Sequence, residues 1–178
     1  MRTHRHFAVL FLISILGGAF YFPEQQTNKF DATWQVYFSP HGGATEAIVD
    51  ALDEARTSIL VQAYSFTSEP VARALVRAHR RGVEVQVLLD KSQRTQKYTV
   101  VDLLMQAGVA TLFDADHAIA HNKAMIIDKR VVITGSFNFT KAAEERNAEN
   151  LLVISDVGLA NRYTENWRAH QAHSVRLQ

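Results

Sequence analysis

Apolar residues recur along this chain with two different periods, and the alternation of those periods sets out the elements. Short runs rich in β-branched and aromatic residues occur at Trp34–Phe38, Ser58–Ala63, Glu84–Leu89, Val109–Phe113, Ala124–Ile127, Val131–Thr134 and Leu151–Ile154. Their length and composition predict strands, and Ser58–Ala63 has the apolar density of a central one. Between them the period changes to that of a helix. Ala44, Ala47, Ile48, Ala51, Leu52 and Ala55 form one apolar stripe, with Glu46, Asp50, Asp53 and Glu54 mainly between its members. Val71, Ala74, Leu75 and Ala78 form a second, with Arg73, Arg77, Arg80 and Arg81 on the opposite face. Ser68 at its N-cap, Glu69 and Pro70 in its first turn and Gly82 at its end bound that helix. Val100–Ala107, closed by Gly108, and Val157–His173, with Leu159, Tyr163 and Trp167 on its inner face, complete the helices.

Strands alternating with helices predict an α/β fold: a mixed β-sheet of about six to eight strands sandwiched between helices. The expected single domain covers 33–178, and 23–32 reads as a polar linker. Ahead of it, Arg2 and Arg5 precede an apolar run, Phe7–Phe22, of 16 residues, with Gly17-Gly18-Ala19 near its end and no acidic residue before Glu24. This is the layout of a secretory signal over 1–22, cleaved after Ala19, which implies a periplasmic or secreted protein. The alternative is an uncleaved membrane anchor, although the run is slightly short of the ~17–25 residues that span a bilayer. A membrane partner is expected only in that case.

Composition narrows the chemistry. Among 178 residues, 47% are hydrophobic and 21% charged, the balance of a globular domain with a real core. Cysteine is absent, which removes disulfides, thiolate metal sites and cysteine nucleophiles together. The formal net charge is +1, and loss of Arg2 and Arg5 with a signal would take it to −1. Attraction to nucleic acid must therefore come from local patches. Two are candidates. The arginine stripe Arg73, Arg77, Arg80 and Arg81 either meets a phosphate backbone or is a solvated helix face. The segment Asp90–Tyr98 carries Lys91, Arg94 and Lys97 beside Tyr98; positive charge with an aromatic suits a nucleic acid strand, and an ordinary exposed loop fits it equally. Gly42-Gly43 before the first helix could receive an anion, but no GxGxxG or Walker spacing follows, so a plain turn is expected.

The chemistry concentrates in His121–Asn138, HNKAMIIDKRVVITGSFN. Two strands with Asp128-Lys129-Arg130 at the bend place His121 and Lys123 on one side, because residues two apart on a strand share a face. A proton carrier beside a fixed ammonium makes a plausible phosphate site. The pattern His121-x-Lys123-x4-Asp128-x6-Gly135-Ser136-x-Asn138 resembles the HKD signature of the phospholipase D superfamily. In length and layout, from about Val36 onward, the chain is most similar to its small, single-motif bacterial Nuc-type endonucleases.

That resemblance implies a phosphodiesterase. A phosphodiester repels nucleophiles and has a poor leaving group, so a catalyst supplies a nucleophile, neutralises non-bridging oxygens and protonates the leaving oxygen. One His-Lys-Asn set is half of such a site. In the family, two HKD motifs meet at one pocket. This chain has one: His79 is followed by arginines, and His117 has no lysine two residues on. The resemblance therefore implies a homodimer sharing one site. One His121 would attack phosphorus to give a phosphohistidine, and the partner's His121 would protonate the leaving oxygen and then activate water.

Lys123 and Asn138 would hold the phosphate, with Ser136 in support. The family places a glutamate on the neighbouring strand, which makes Glu149 the candidate to hold the other ring nitrogen of His121. Asp128, the motif's third letter, counts with the catalytic set, although its place after Ile127 suggests that it braces the hairpin and the lysine. No HExxH, DxD or Cys-His pattern stands out, so no metal and no cofactor are expected, and activity should survive a chelator. The leading expectation is a nonspecific endonuclease of DNA and RNA. A lipid phosphodiesterase and a non-catalytic nucleic-acid-binding module are the alternatives.

Overall fold

The computed structural model describes residues 32–97 and 99–176. The expected signal or anchor at 1–22, and the linker up to Asp31, lie outside the described residues, as does Tyr98. No helix among the described residues is long and apolar enough to cross a membrane.

Seven strands form one mixed sheet. They are β1 (Thr33–Ser39), β2 (Ser58–Ala63), β3 (Glu84–Asp90), β4 (Ala110–Asp114), β5 (Lys123–Ile127), β6 (Val131–Gly135) and β7 (Glu149–Ser155). The helices are α1 (Ala44–Glu54), α2 (Glu69–Arg80), α3 (Val101–Gln106), α4 (Lys141–Glu145) and α5 (Val157–Gln171). Strand order is β1-β7-β6-β5-β2-β3-β4. β2, β3 and β4 run parallel, joined through α2 and α3, while the other neighbours are antiparallel. The α/β sandwich expected from the periodicity is the fold observed.

The two sheet faces are covered unequally. On one, Ile48 and Leu52 of α1, Leu75 and Ala78 of α2 and Leu104 of α3 close over Ile59, Val61, Val87, Met125 and Ile133. On the other, Ala160 and Trp167 of α5 close over Leu88, Leu112, Ile126 and Val132. Trp167 is fully buried, and its indole Nε1 donates to the Val61 carbonyl at 2.9 Å. Satisfying that one polar atom lets the largest side chain of α5 sit in the core; truncation to alanine would cost about 3–5 kcal/mol.

Several local expectations are refined. α5 ends at Gln171 because the tail turns back onto the sheet edge, where Phe113 N donates to Val175 O at 2.8 Å and Val175 N to Phe113 O at 3.0 Å. Ser68 stands at the N-cap of α2, but its side chain makes no capping bond. The segment after β3 is not all loop: Lys91–Arg94 is a short 3-10 helix whose N-terminus Asp90 caps through Ser92 N. The N-terminus of α1 is met from within the chain, since the Glu144 carboxylate of α4 accepts from Gly43 N at 3.2 Å and Thr45 N at 2.8 Å. An anion does sit at this turn, and it is a side chain.

The arginine stripe on α2 is largely engaged. Arg77 makes a forked contact with Asp53, Arg73 pairs with Glu69, and Arg81 donates to the Leu52 carbonyl at 2.9 Å. The Arg77 and Arg81 bonds tie α2 to α1, whereas the Arg73–Glu69 pair lies within α2 and stays exposed.

Candidate active site

The register places every element of the site at one end of the sheet. Ala63, the last residue of β2, pairs with Lys123, the first of β5. Gly135, the last of β6, pairs with Leu151 near the start of β7, and Glu149 pairs with Ser39 at the end of β1. His121, Lys123, Gly135, Ser136, Asn138 and Glu149 thus line one open pocket of about 400 Å³. Strand ends at one rim of an α/β sheet are where such folds build sites.

Lys123 Nζ lies 3.2 Å from His121 Nδ1 and donates to the His121 carbonyl at 2.8 Å. The lysine is 8% exposed whereas the histidine is exposed. Burial lowers the Lys123 pKa, and the nearby Glu149 carboxylate opposes that shift. Where the ammonium donates to Nδ1, the neutral ring carries its proton on Nε2 and has no lone pair there for attack. An attacking ring needs the reverse arrangement, with its proton on Nδ1, which a carboxylate supports and an ammonium opposes. Glu149 shares the pocket with His121, but within one chain its carboxylate accepts from Asn147 Nδ2 at 3.1 Å.

Gly135 is required by close approach. It has φ of 154°, and a Cβ there would lie 2.2 Å from the Asn150 carbonyl. Ser136 follows and fastens the turn to β7, its Oγ accepting from Asn150 N at 3.1 Å. The chain then delivers Asn138 to the pocket between buried Phe137 and Phe139. The Asn138 side-chain oxygen is buried with no partner among the described residues. A buried amide oxygen without a partner is unusual, and at a pocket wall it can accept a hydrogen bond from a ligand's donor.

Asp128 is elsewhere. It follows β5 at the end opposite Lys123, where its carboxylate accepts from Arg56 N at 2.9 Å, Thr57 N at 2.7 Å, Ser58 N at 3.0 Å and Thr57 Oγ1 at 2.8 Å. Burial alone would raise its pKa, and these four donors outweigh it and hold the carboxyl below its ordinary value. The expected brace on the hairpin fits this contact set. A brace on Lys123, or a place in the pocket, does not, because the strand separates them by its full length of five residues.

Lys91, Arg94 and Lys97 are exposed on the same rim, after β3. Lys91 Nζ donates to the His117 carbonyl at 2.7 Å, while none of the three lines the pocket itself.

Two features escaped the reading of the sequence. Tyr64, the residue after β2, places its ring 4.5 Å from the His121 ring and 5.2 Å from Lys123 Nζ. Its only signal is position, one residue past a central strand's C-terminal end. The other is a group of four potential metal ligands, Asp114, His117, His170 and His173, at the β4 edge of the sheet. Asp114-x2-His117 and His170-x2-His173 were legible as short pairs, but no pattern in the sequence joins them.

Comparison with known proteins bears on this geometry. The model of the family described as cardiolipin synthase, PLD-like domain, matches residues 48–170. A phospholipase D of Rickettsia bellii is 46% identical over 137 residues, which are 77% of this chain and 68% of that protein. The human mitochondrial cardiolipin hydrolase is 38% identical over 118 residues, 66% of this chain and 47% of that protein. This chain therefore spans about two thirds of the first relative and less than half of the second. Among solved structures, Nuc from Salmonella typhimurium, a phospholipase D family member, superposes with a TM-score of 0.79 at 36% identity, covering 83% of this chain and 99% of that one.

Proposed function

The chain belongs to the phospholipase D superfamily of phosphodiesterases, and from that premise we propose that it hydrolyses nucleic acid as a homodimer, through a phosphohistidine. The observation that carries this reading is the pocket itself. His121, Lys123 and Asn138 converge there with Ser136 and Glu149, and the chain supplies one such set.

In the proposed reaction, Nε2 of one His121 attacks phosphorus and forms a P–N bond. The P–O bond to the leaving group breaks, and the partner subunit's His121 gives that oxygen its proton. Water then attacks phosphorus, the partner subunit's His121 takes the water proton, and the P–N bond breaks to leave a phosphomonoester and free imidazole. Lys123 and Asn138 neutralise and hydrogen-bond the non-bridging oxygens, whose charge grows in the transition state. Glu149 accepts a hydrogen bond from the Nδ1–H of the attacking ring and holds its orientation. No step requires a metal.

The dimer is supported by a patch beside the pocket. Trp34, Val36 and Phe38 of β1 point to the α5 face and are exposed, the first and last at 65%. By register, Leu152 and Ile154 of β7 stand next to them. An apolar patch on an edge strand, ending at Phe38 one position before the Ser39–Glu149 pair of the pocket rim, suits a two-fold contact between copies. Nucleic acid is favoured over lipid because the pocket is open and lined by polar side chains, with Lys91, Arg94 and Lys97 on its rim. A phospholipid diester is the second reading, favoured by the names of the relatives, phospholipase D and cardiolipin hydrolase.

The test offers plasmid DNA, single-stranded RNA and phospholipid vesicles to the protein and to its His121→Ala variant. Nicking or RNA cleavage by the unsubstituted protein alone supports the proposal. Headgroup release without cleavage of either nucleic acid establishes the second reading, and retention of DNA with no cleavage refutes both.

A further inference from the structure

We propose that Asp114, His117, His170 and His173 form a binding site for a divalent transition-metal ion, zinc foremost, distinct from the phosphodiester pocket. Each offers one ligand atom, and the four atoms all lie within 4.8 Å of one another. The centre is Asp114 Oδ2, which stands 2.8 Å from His170 Nδ1, 2.9 Å from His117 Nδ1 and 3.4 Å from His173 Nε2. Asp114 is completely buried, at the last position of β4.

Three imidazoles around one carboxylate oxygen are more than that oxygen needs. If the rings are neutral, one carboxylate must take N–H groups from all three, His117 Nδ1 lying 3.1 Å from Oδ1 as well, on top of two backbone amides. If they are protonated, positive charges face one another across centroid separations of 4.7, 5.2 and 5.5 Å. A dication resolves the crowding, because it takes the lone pairs of all three rings and the carboxylate charge at once. Three imidazole nitrogens and one carboxylate oxygen are a set that zinc accepts in tetrahedral geometry, with bonds of about 2.0–2.2 Å. Such bonds separate neighbouring ligand atoms by roughly 3.4 Å, close to the contacts present here. Magnesium and calcium prefer all-oxygen sets, and copper(I) prefers sulfur, which this chain lacks at cysteine positions.

The surroundings hold the ligands in place. Asp114 Oδ1 accepts from the backbone N–H groups of Asp116 and His117, each at 3.2 Å, which orients the carboxylate. Paired backbone bonds between Phe113 and Val175 bring the tail after α5 alongside β4, and so bring His173 to Asp114. His117 has 47% of its side chain exposed, which gives an ion a route from solvent. The ion would clip the C-terminal tail to the segment that runs from β4 into His121. β4 and β5 are three strand positions apart, roughly 14 Å, so the ion stabilises and does not touch the reacting phosphate.

The experiment uses the full chain without a polyhistidine tag. Elemental analysis, calorimetric titration of chelator-stripped protein with Zn²⁺ or Mg²⁺, and thermal unfolding are measured on it and on two variants. The expected results are one zinc per chain, submicromolar binding of Zn²⁺ but not Mg²⁺, and a midpoint raised by several degrees with zinc. A His117→Ala/His170→Ala variant should lose both stoichiometric zinc and the thermal shift, while His121→Ala keeps them. His117→Ala alone, at the most exposed ligand, should weaken binding without unfolding the chain. Absence of zinc uptake at micromolar concentrations, or zinc retained by the double variant and lost by His121→Ala, would overturn the proposal.

Discussion

The Tyr64 ring lies 4.5 Å from the His121 ring at an interplanar angle of 53°. Lys123 Nζ stands 5.2 Å from the same Tyr64 ring, so one aromatic side chain touches both the imidazole and the ammonium of the motif. Tyr64 is itself held, because its backbone N–H donates to the Asn122 carbonyl at 2.9 Å. A ring in this position limits the orientations of His121 and favours the charged lysine through its electron-rich face. Tyr64→Ala should therefore lower kcat about tenfold, the equivalent of roughly 1–2 kcal/mol, with a smaller change in KM. Tyr64→Phe keeps the ring and should retain most of the activity. Steady-state kinetics on a chromogenic phosphodiester separates the two; equal losses in both variants would shift the role from the ring to the hydroxyl.

Asp128 is assigned to the fold and not to the reaction. Its carboxyl is held below the ordinary value of 3.8 by bonds from Ser58, Thr57 and Arg56, which outweigh the opposing effect of burial. A depressed carboxylate stabilises the fold above its unfolded pKa, and that contribution disappears as pH falls through the folded value. Asp128→Ala should cost about 2–3 kcal/mol at neutral pH, from the orphaned amides and from alanine at a φ of 52°. Asp128→Asn, which tolerates that backbone, should lose less, and its deficit should shrink as pH drops below 3.8. Denaturant unfolding at neutral and acid pH measures this. At permissive temperature kcat should be unchanged in both variants, and a large loss in folded protein would return Asp128 to the catalytic set.

Lys123 makes the alkaline side of the pH profile diagnostic. Burial lowers its pKa from 10.5 and the Glu149 carboxylate opposes the change. The ammonium is present below that pKa, so activity should be full there and decline as pH rises through it, earlier than for a free lysine. Glu149→Gln removes the opposing charge and should move the alkaline limb of kcat/KM to still lower pH. Lys123→Arg keeps its charge throughout and should flatten the limb at a reduced rate. A limb unmoved by either substitution would belong to another group.

What could be read from the chain divides by sequence distance. Ser58–Ala63 was legible to the residue, because a dense β-branched run between turn residues has one good conformation. His121, Lys123 and Asn138 were legible because the motif spans one hairpin, so local spacing carries the geometry. Tyr64 was not, since its meeting with His121 depends on β2 pairing with β5. The Glu144 cap on α1 and the Asp53 pair of Arg77 were hidden for the same reason. The Asp114 cluster needed the most: a tail that reverses after α5 to pair with β4. A strand or helix announces itself through its period, whereas a contact between two distant polar residues leaves no local trace.

The sharing of one site between two chains predicts a nonlinear response to poisoning. If His121 of one subunit attacks and its partner subunit's His121 donates the proton, a dimer with one His121→Ala chain cannot complete a cycle. Wild-type and His121→Ala chains, mixed under subunit exchange, should then lose activity as the square of the wild-type fraction, reaching about a quarter at equal amounts. Independent chains would lose it linearly, and an equal mixture would keep half. Phe38→Asp supplies the complementary arm. Phe38 is 65% exposed in the single chain, so a charge there should leave folding intact. On the proposed interface it would face its own copy or an apolar neighbour, so the variant should sediment as a monomer and lose turnover. A folded monomer with full activity would place both halves of the chemistry in one chain, and the shared site would have to be abandoned.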